Sequence, residues 1–301
     1  MVCTACAESG LSHYPSPGLE ERQMEQTDWN LGQAFDSPQG VIRWETFGDG
    51  PPIVLLHGTP NWSFIWRKVV EHLSGRHRVY VFDWPGFGRS DRYPGQNISW
   101  DEQARRLPEL FAHWEIAAPT LVAFDFAPIF ALRAHFFEKL DVGALVLADA
   151  AVLPPFVTDF SRQVRDNIQT MTQLPVYVAE AMIEAHLRRT THQPMQPDVL
   201  DAYMEPWRGK DGVAAYWRAV ARYDEDMAAP LRSRLPNLGV PTRLIWGQED
   251  EWIPPEKAHE LADLLPKTDI RFLPNAGHFS PEDTPEAFAA ALLEFEAELG
   301  R

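Results

Sequence analysis

Short apolar runs that end in a polar residue and give way at once to helical spacing recur along this chain, and they restrict the fold more than any other feature. "IVLLHG" (53–58) is a β-branched run of the kind buried parallel strands show. "WSFIWRKVVEHLSG" (62–75) follows it, with apolar residues at Ile65, Val69, Val70 and Leu73 before a stopping glycine. "HRVYVFDWPGFGRS" repeats the plan, with a strand at Val79 to Phe82 that ends in Asp83 and a Pro-Gly loop. "SWDEQARRLPELFAHW" then reads as a helix capped by Ser99, with Glu102 three residues on. "PTLVAF", a helix from about Pro128 to Leu140, and "GALVLADA" continue the series, and "VIRWETFG" (41–48) alternates as a strand before it. Strands alternating with helices imply an α/β fold, a doubly wound and mostly parallel sheet. Ligands of such sheets sit beyond the carboxyl ends of the strands, where His57, Asp83, Asp125 and Asp149 all fall.

From Val152 to about Leu235 the strand signal gives way to aromatic-rich helical segments, and the sheet resumes with "TRLIWG" and "IRFLPNAG" before a C-terminal helix. The expected organisation is therefore an N-terminal extension over 1–32, read as a mobile tail, a core over 33–151 and 236–301, and an inserted helical lid over 152–235. A chain of 301 residues with 45% hydrophobic content can bury one large core. Its net charge of -16 leaves no basic face for nucleic acid. No apolar run is long enough to span a bilayer, and the first residues lack the basic start and apolar centre of a signal peptide, so a cytoplasmic protein without membrane contact is expected. Cys3 and Cys6 form a lone C-x-x-C, and His13 does not complete a four-ligand set, so neither a metal nor another cofactor is expected.

Within "LVAFDFAPIFALRAHF" (121–136), Asp125 stands at a strand–helix junction with no polar neighbour on either side. Stranding a carboxylate there costs several kcal/mol, on the order of the penalty for any unpaired buried ion, unless donors offset it. "WGQEDEWIPP" puts Asp250 in a loop after one strand, and "LPNAGHFSPED" puts His278 in a loop after the next. Nucleophile, acid and histidine in that chain order, with the nucleophile on a tight strand-to-helix turn, is a hydrolase triad order.

On these residues, and on "HGTPNWSFIWR", "DWPGFGRSD", "WGQEDEWIP" and "AGHF", the chain resembles the α/β-hydrolase superfamily from about Val41 to Leu299. An aspartate at the elbow, in place of serine or cysteine, is similar to the haloalkane dehalogenase and epoxide hydrolase branch. The resemblance implies that Asp125 attacks to form a covalent ester and that His278 activates water against it. It also implies that Asp250 steadies the imidazole and that the backbone N–H groups of Thr59 and Phe126 form the oxyanion hole. The positive end of the helix starting near Pro128 favours a carboxylate at Asp125.

Two departures shape the expected reaction. Ala123 and Ala127 flank the elbow where glycines are common, and Phe126 stands where dehalogenases place a Trp or another donor to the departing halide. Halide expulsion would then need Trp62, Trp207 or Trp217. Epoxide hydrolases instead protonate the departing oxygen with lid tyrosines, for which Tyr177, Tyr203, Tyr216 and Tyr223 are candidates. Epoxide hydrolysis is accordingly the first expectation and dehalogenation the second, followed by a specialised ring-opening or ring-closing enzyme or a non-catalytic receptor. Trp62, Trp207, Trp217 and Phe156 are expected to line a pocket for a small-molecule hydrophobic substrate, and the lid aromatics together suggest a sizeable one. Homodimerisation is left open. Asp149 is an alternative triad acid whose simpler reading is a loop anchor. Asp83 and Ser90 are expected to organise their loop, His57 to brace the oxyanion segment, and His186 and His192 to lie at the surface.

Overall fold

The computed structural model describes residues 29–301, so Cys3, Cys6 and His13 lie outside the described residues. Eight strands, β1 (Gln33–Ser37), β2 (Gly40–Phe47), β3 (Pro52–Leu56), β4 (Arg78–Phe82), β5 (Thr120–Phe124), β6 (Ala144–Ala148), β7 (Thr242–Gly247) and β8 (Asp269–Leu273), form one sheet. Their spatial order is β1-β2-β4-β3-β5-β6-β7-β8. The β1–β2 and β2–β4 pairs are antiparallel; the others are parallel, and β5 and β6 are buried along their whole length, as their unbroken apolar runs require.

Helices α1 (Arg67–Leu73), α2 (Trp100–His113) and α3 (Ala127–Phe137) connect the first strands. Between β6 and β7 the chain is helical: α4 (Asp159–Asp166), α5 (Ile168–Met171), α6 (Val176–Leu187), α7 (Pro197–Met204), α8 (Gly209–Val220) and α9 (Ala229–Arg232), with short 3-10 turns. Then come α10 (Glu256–Ala262), α11 (Ser280–Asp283) and α12 (Pro285–Glu298). Helix α3 buries residues on every side, from Ala127 to Leu132, because it lies directly behind the central strands. No helix among the described residues is long and apolar enough to cross a membrane.

Local details differ from the sequence reading in ways that have physical causes. Strand β1 and helix α10 were not anticipated; β1 is an edge strand with mostly exposed side chains and so carries little apolar alternation. Ser99 occupies the N-cap position of α2 with extended backbone, but its side chain makes no cap bond, and Glu102 reaches Arg106 at 2.9 Å, one turn on, instead of back to the cap. Helix α8 ends at Val220, so Tyr223 lies beyond it and off its helical face.

Register places the site. Val122 pairs with Val146 and Phe124 with Ala148, and the ladder continues one residue further, where Asp125 N–H donates to the Ala148 carbonyl at 3.0 Å and Asp149 N–H to the Ile245 carbonyl at 3.1 Å. Asp125 and Asp149 therefore stand side by side on the carboxyl rim of the sheet.

Candidate active site

The turn from β5 into α3 holds Asp125 in the left-handed region, at φ 59°. For a non-glycine residue that conformation costs about 1–3 kcal/mol, and it persists only where the surroundings impose it. They do so here through Gly58: a Cβ on it would lie 2.4 Å from both Cβ and Oδ2 of Asp125, so only glycine lets the loop after β3 pass over the carboxylate. That approach brings Thr59 N–H within 2.7 Å of Asp125 Oδ2, and the Phe126 N–H faces the same carboxyl group. Ala123 and Ala127 are fully buried beside this turn, so their methyl groups are accommodated.

Asp125 Oδ1 lies 3.3 Å from His278 Nε2, an ionic contact too far off line to be a hydrogen bond. On the other side of the ring, Nδ1 lies 2.9 Å from Asp250 Oδ2. A carboxylate accepts, which assigns a hydrogen to Nδ1 and turns Nε2 toward Asp125. The Asp250 carboxylate is itself fixed by N–H donation to Oδ1 from Trp252 at 2.8 Å and Ile253 at 2.9 Å. Burial alone would push a proton off His278; the two carboxylates outweigh it and raise its pKa well above the ordinary value. Asp125 moves upward too, because burial exceeds the combined pull of His278, Thr59 and Phe126.

The neighbouring polar residues hold the loops. Burial lowers the pKa of His57 to about 3, and the neutral ring donates from Nδ1 to the Gly58 carbonyl at 2.8 Å while Nε2 accepts from Trp84 N–H at 3.1 Å. Asp83 accepts from the N–H groups of Ser63 and Arg89, and the Ser90 hydroxyl donates to the Asp83 carbonyl. Asp149, at φ 43°, accepts from Gly247 N–H at 2.8 Å and from the Ser280 hydroxyl, so both of its oxygens are tied to loops. His192 is exposed as expected; His186 is half-buried between Trp252 and Phe160.

A narrow cavity beside Asp125, Thr59 and His278 has a free volume of about 10 Å³, roughly that of one water molecule. Phe126 and Phe156 line the cavity as anticipated, together with Thr158, Ser161, Tyr223, Trp252 and Ile253. Of the lid tyrosines, Tyr177 points outward, 76% exposed. Tyr203 donates its hydroxyl to Glu282 Oε2 at 2.8 Å, part of an ion-pair cluster with Arg67, and the Tyr216 hydroxyl is bonded to His186 Nδ1. None of these three lines the cavity, whereas Tyr223 does: its ring stacks on Phe126 at 4.2 Å and its hydroxyl faces Thr59 and Asp125.

The three tryptophans expected in the pocket are also elsewhere. Trp62 donates to the Ala202 carbonyl and lines an outer groove with Trp29, and Trp207 donates to the Pro60 carbonyl at 2.9 Å. Trp217 packs against Tyr216 and Phe160. Trp62 and Trp207 tie helices to the core through their single donors, and Trp217 packs within the helical segment. The sequence reading passed over Trp252, although it lies in the quoted "WGQEDEWIPP" two residues after Asp250, and that spacing was the available signal. Thr158 and Ser161 carried no signal beyond the capping of α4.

Residues 53–291 match the alpha/beta hydrolase family. The chain belongs to that family. This α/β hydrolase is 33% identical over 273 residues to haloalkane dehalogenase 2 of Mycobacterium tuberculosis, across 86% of this chain and 93% of that one. It is 26% identical over 266 residues to the pimeloyl-[acyl-carrier protein] methyl ester esterase of Vibrio vulnificus, across 84% and 97% of the two chains. Among solved structures, an alpha/beta hydrolase fold protein from Burkholderia ambifaria superposes on the hydrolase with a TM-score of 0.84 at 35% identity, covering 88% of this chain and 98% of that chain.

Proposed function

We propose that this hydrolase opens a small apolar epoxide through an ester on Asp125, beneath a lid formed by residues 152–235. The observation that carries the reading is Tyr223, which shares with the Asp125 carboxylate a cavity also lined by Phe126, Phe156, Thr158, Ser161, Trp252 and Ile253. Burial first, then the Asp125 charge, raises the Tyr223 pKa well above its ordinary value, so the phenol stays protonated and serves as an acid.

In the first step Asp125 Oδ1 attacks a ring carbon, the C–O bond breaks, and the departing oxygen takes the Tyr223 proton. The ester removes the charge of Asp125, and with it one of the two carboxylates holding a proton on His278. Its affinity for that proton falls, the proton passes to the tyrosinate, and Nε2 becomes a base. Water then attacks the ester carbon while His278 takes its proton, and the developing oxyanion at Oδ2 meets the N–H groups of Thr59 and Phe126. Collapse of this intermediate breaks the acyl–oxygen bond, the departing alkoxide takes the proton of the Asp125 carboxylic acid so formed, and the diol leaves with Asp125 ionised and His278 protonated as at the start. Asp250 holds the imidazole in place throughout.

Halide displacement is the second reading, favoured by the 33% identity to a haloalkane dehalogenase. The same ester forms, and the halide leaves toward the Tyr223 O–H.

The test is intact-protein mass spectrometry of His278→Ala with small epoxides and haloalkanes, followed by peptide mapping. Loss of the base slows ester hydrolysis by about 10² to 10⁴. A mass gain equal to the whole epoxide on Asp125 supports the first reading, and a gain equal to the haloalkane less HX supports the second. If Asp125 stays unlabelled and the wild type turns over neither class, both readings fail.

A further inference from the structure

Trp252 occupies a position that loop packing alone does not explain. Its indole stacks on the His278 imidazole, with ring centroids 5.1 Å apart and planes 22° from parallel. Its other neighbour is His186 of α6, whose ring lies 4.5 Å away at 15°. The indole is therefore the middle layer of three rings running from the helical segment to the candidate base. Its backbone is committed as well: the Trp252 N–H donates to Asp250 Oδ1 at 2.8 Å, so one residue fixes the acid by its main chain and faces the base by its side chain.

We propose that Trp252 is the positioning residue of His278, that it holds the imidazole plane in line between Asp250 and Asp125, and that its π face stabilises the ring's protonated form. A cation over an indole face is attracted by the ring quadrupole, and the attraction strengthens where water is excluded. His278 is 1% exposed. The imidazole also meets Phe124, centroids 5.4 Å apart and tilted by 35°, and Phe279 at 6.0 Å, so the parallel contact is the one to Trp252.

The groups that act on the His278 charge come from four elements. Asp125 follows β5, Asp250 and Trp252 follow β7, Asp149 follows β6, and His186 belongs to α6. The last of these does not compete for the indole: burial, and then the charge of His278, lower the His186 pKa to about 3, so that ring is neutral, and its Nδ1 is bonded to the Tyr216 hydroxyl. A neutral ring on the outer face and a cation on the inner face is the arrangement in which Trp252 favours protonation of His278 alone.

The catalytic consequence of this inference rests on His278 being the base proposed above, but its test does not. The imidazole of His278 is titrated by NMR in the full chain, its resonance assigned by its loss in His278→Gln. Trp252→Leu keeps an apolar wall and removes the π face, and its His278 midpoint should fall by about half a unit to one unit. Trp252→Phe keeps a face and should stay within about a third of a unit of the wild type. A Leu variant that titrates with the wild type, or above it, reduces Trp252 to packing and overturns the proposal. Fluorinated tryptophan placed at position 252 weakens the quadrupole at nearly constant shape and covers the case in which Trp252→Leu does not fold. The midpoint should then fall stepwise with fluorine count, and an unchanged midpoint overturns the proposal.

Discussion

Asp125 and Asp149 end neighbouring parallel strands, are 2% and 0% exposed, and share a left-handed backbone at φ 59° and 43°. Burial raises the pKa of both. They differ in what surrounds the two oxygens. Asp149 gives one to the Gly247 N–H at the end of β7 and the other to the Ser280 hydroxyl at the start of α11, which leaves no oxygen facing open space. Asp125 gives Oδ2 to Thr59 N–H and turns Oδ1 toward His278 and an enclosed cavity. Burial, strain and a perturbed pKa are thus common to an anchor and to a candidate nucleophile. The distinguishing property is an oxygen left free beside a base and a space for a reactant.

The strongest test of this difference replaces each residue in turn. Asp125→Ala should lower turnover of a labelling substrate by on the order of 10⁴ to 10⁶ and abolish the covalent adduct. Asp149→Asn, which keeps the shape, one acceptor for Gly247 N–H and an amide that the Ser280 hydroxyl can turn to accept from, should stay within about tenfold of wild-type kcat, a change under about 1.4 kcal/mol in barrier. Equal losses in the two variants, measured on protein shown to be folded by circular dichroism, would merge the two roles and break the comparison.

Tyr223 sharpens it from the open side of Asp125. Tyr223→Phe keeps the stack on Phe126 and removes one proton, and should slow ester formation from an epoxide by about 10² to 10⁴ in single-turnover experiments. Tyr203→Phe and Tyr216→Phe, whose hydroxyls are held by Glu282 and His186, should leave that step within a few-fold, on the order of 1 kcal/mol or less in barrier. If either of these two variants, and not Tyr223→Phe, carries the loss, the acid has been misassigned.

Gly58→Ala probes the close approach that only Asp125 has. Its new methyl would sit 2.4 Å from the carboxylate, so the loop or the elbow must shift. A displacement of about 1 Å costs on the order of 10²-fold in kcat, and overpacking costs about 1–3 kcal/mol in stability. Steady-state kinetics with a thermal melt separates the two effects. An unchanged kcat would mean that the Thr59 N–H does not need its present position.

The asymmetry between the two aspartates also explains what could be learned before any coordinates. Asp125, Asp250 and His278 sit where a strand meets a loop, and a strand is written locally in runs such as "LVAF" and "RLIW", so their places on the carboxyl rim were legible. The resemblance of the elbow and histidine motifs to known hydrolases added their expected roles. The helical segment was legible as helix but not in orientation. Tyr177, Tyr203, Tyr216 and Tyr223 all lie in it, and which one meets the carboxylate depends on how α6, α7 and α8 pack and on α8 ending at Val220. Trp62, Trp207 and Trp217 lie away from the cavity for the same reason: the indole N–H of Trp62 and of Trp207 finds a backbone carbonyl where packing offers it, and Trp217 packs against Tyr216 and Phe160. His186 looked like a surface residue because its partners, Trp252 and Tyr216, are distant in sequence.

The smallest expected effect concerns pH and separates the aspartates without any substrate. The pKa of Asp149 is raised well above the ordinary carboxylate value, first by burial and then by the Asp250 charge. A group that binds its proton more tightly when folded makes the unfolded chain the poorer proton binder, so its contribution to stability falls as pH rises from about 3.8 toward the folded value. Asn at that position does not titrate. The stability of Asp149→Asn relative to wild type should therefore improve with rising pH, by at most about 1.4 kcal/mol per unit across that window. Urea melts at a series of pH values read this slope directly. Asp125→Asn should show a slope of the same sign over a narrower pH window, because His278, Thr59 and Phe126 all pull the Asp125 pKa back down. A wider window for Asp125 than for Asp149 would mean that the oxygen facing the cavity is the worse solvated of the two, contrary to the donors that surround it.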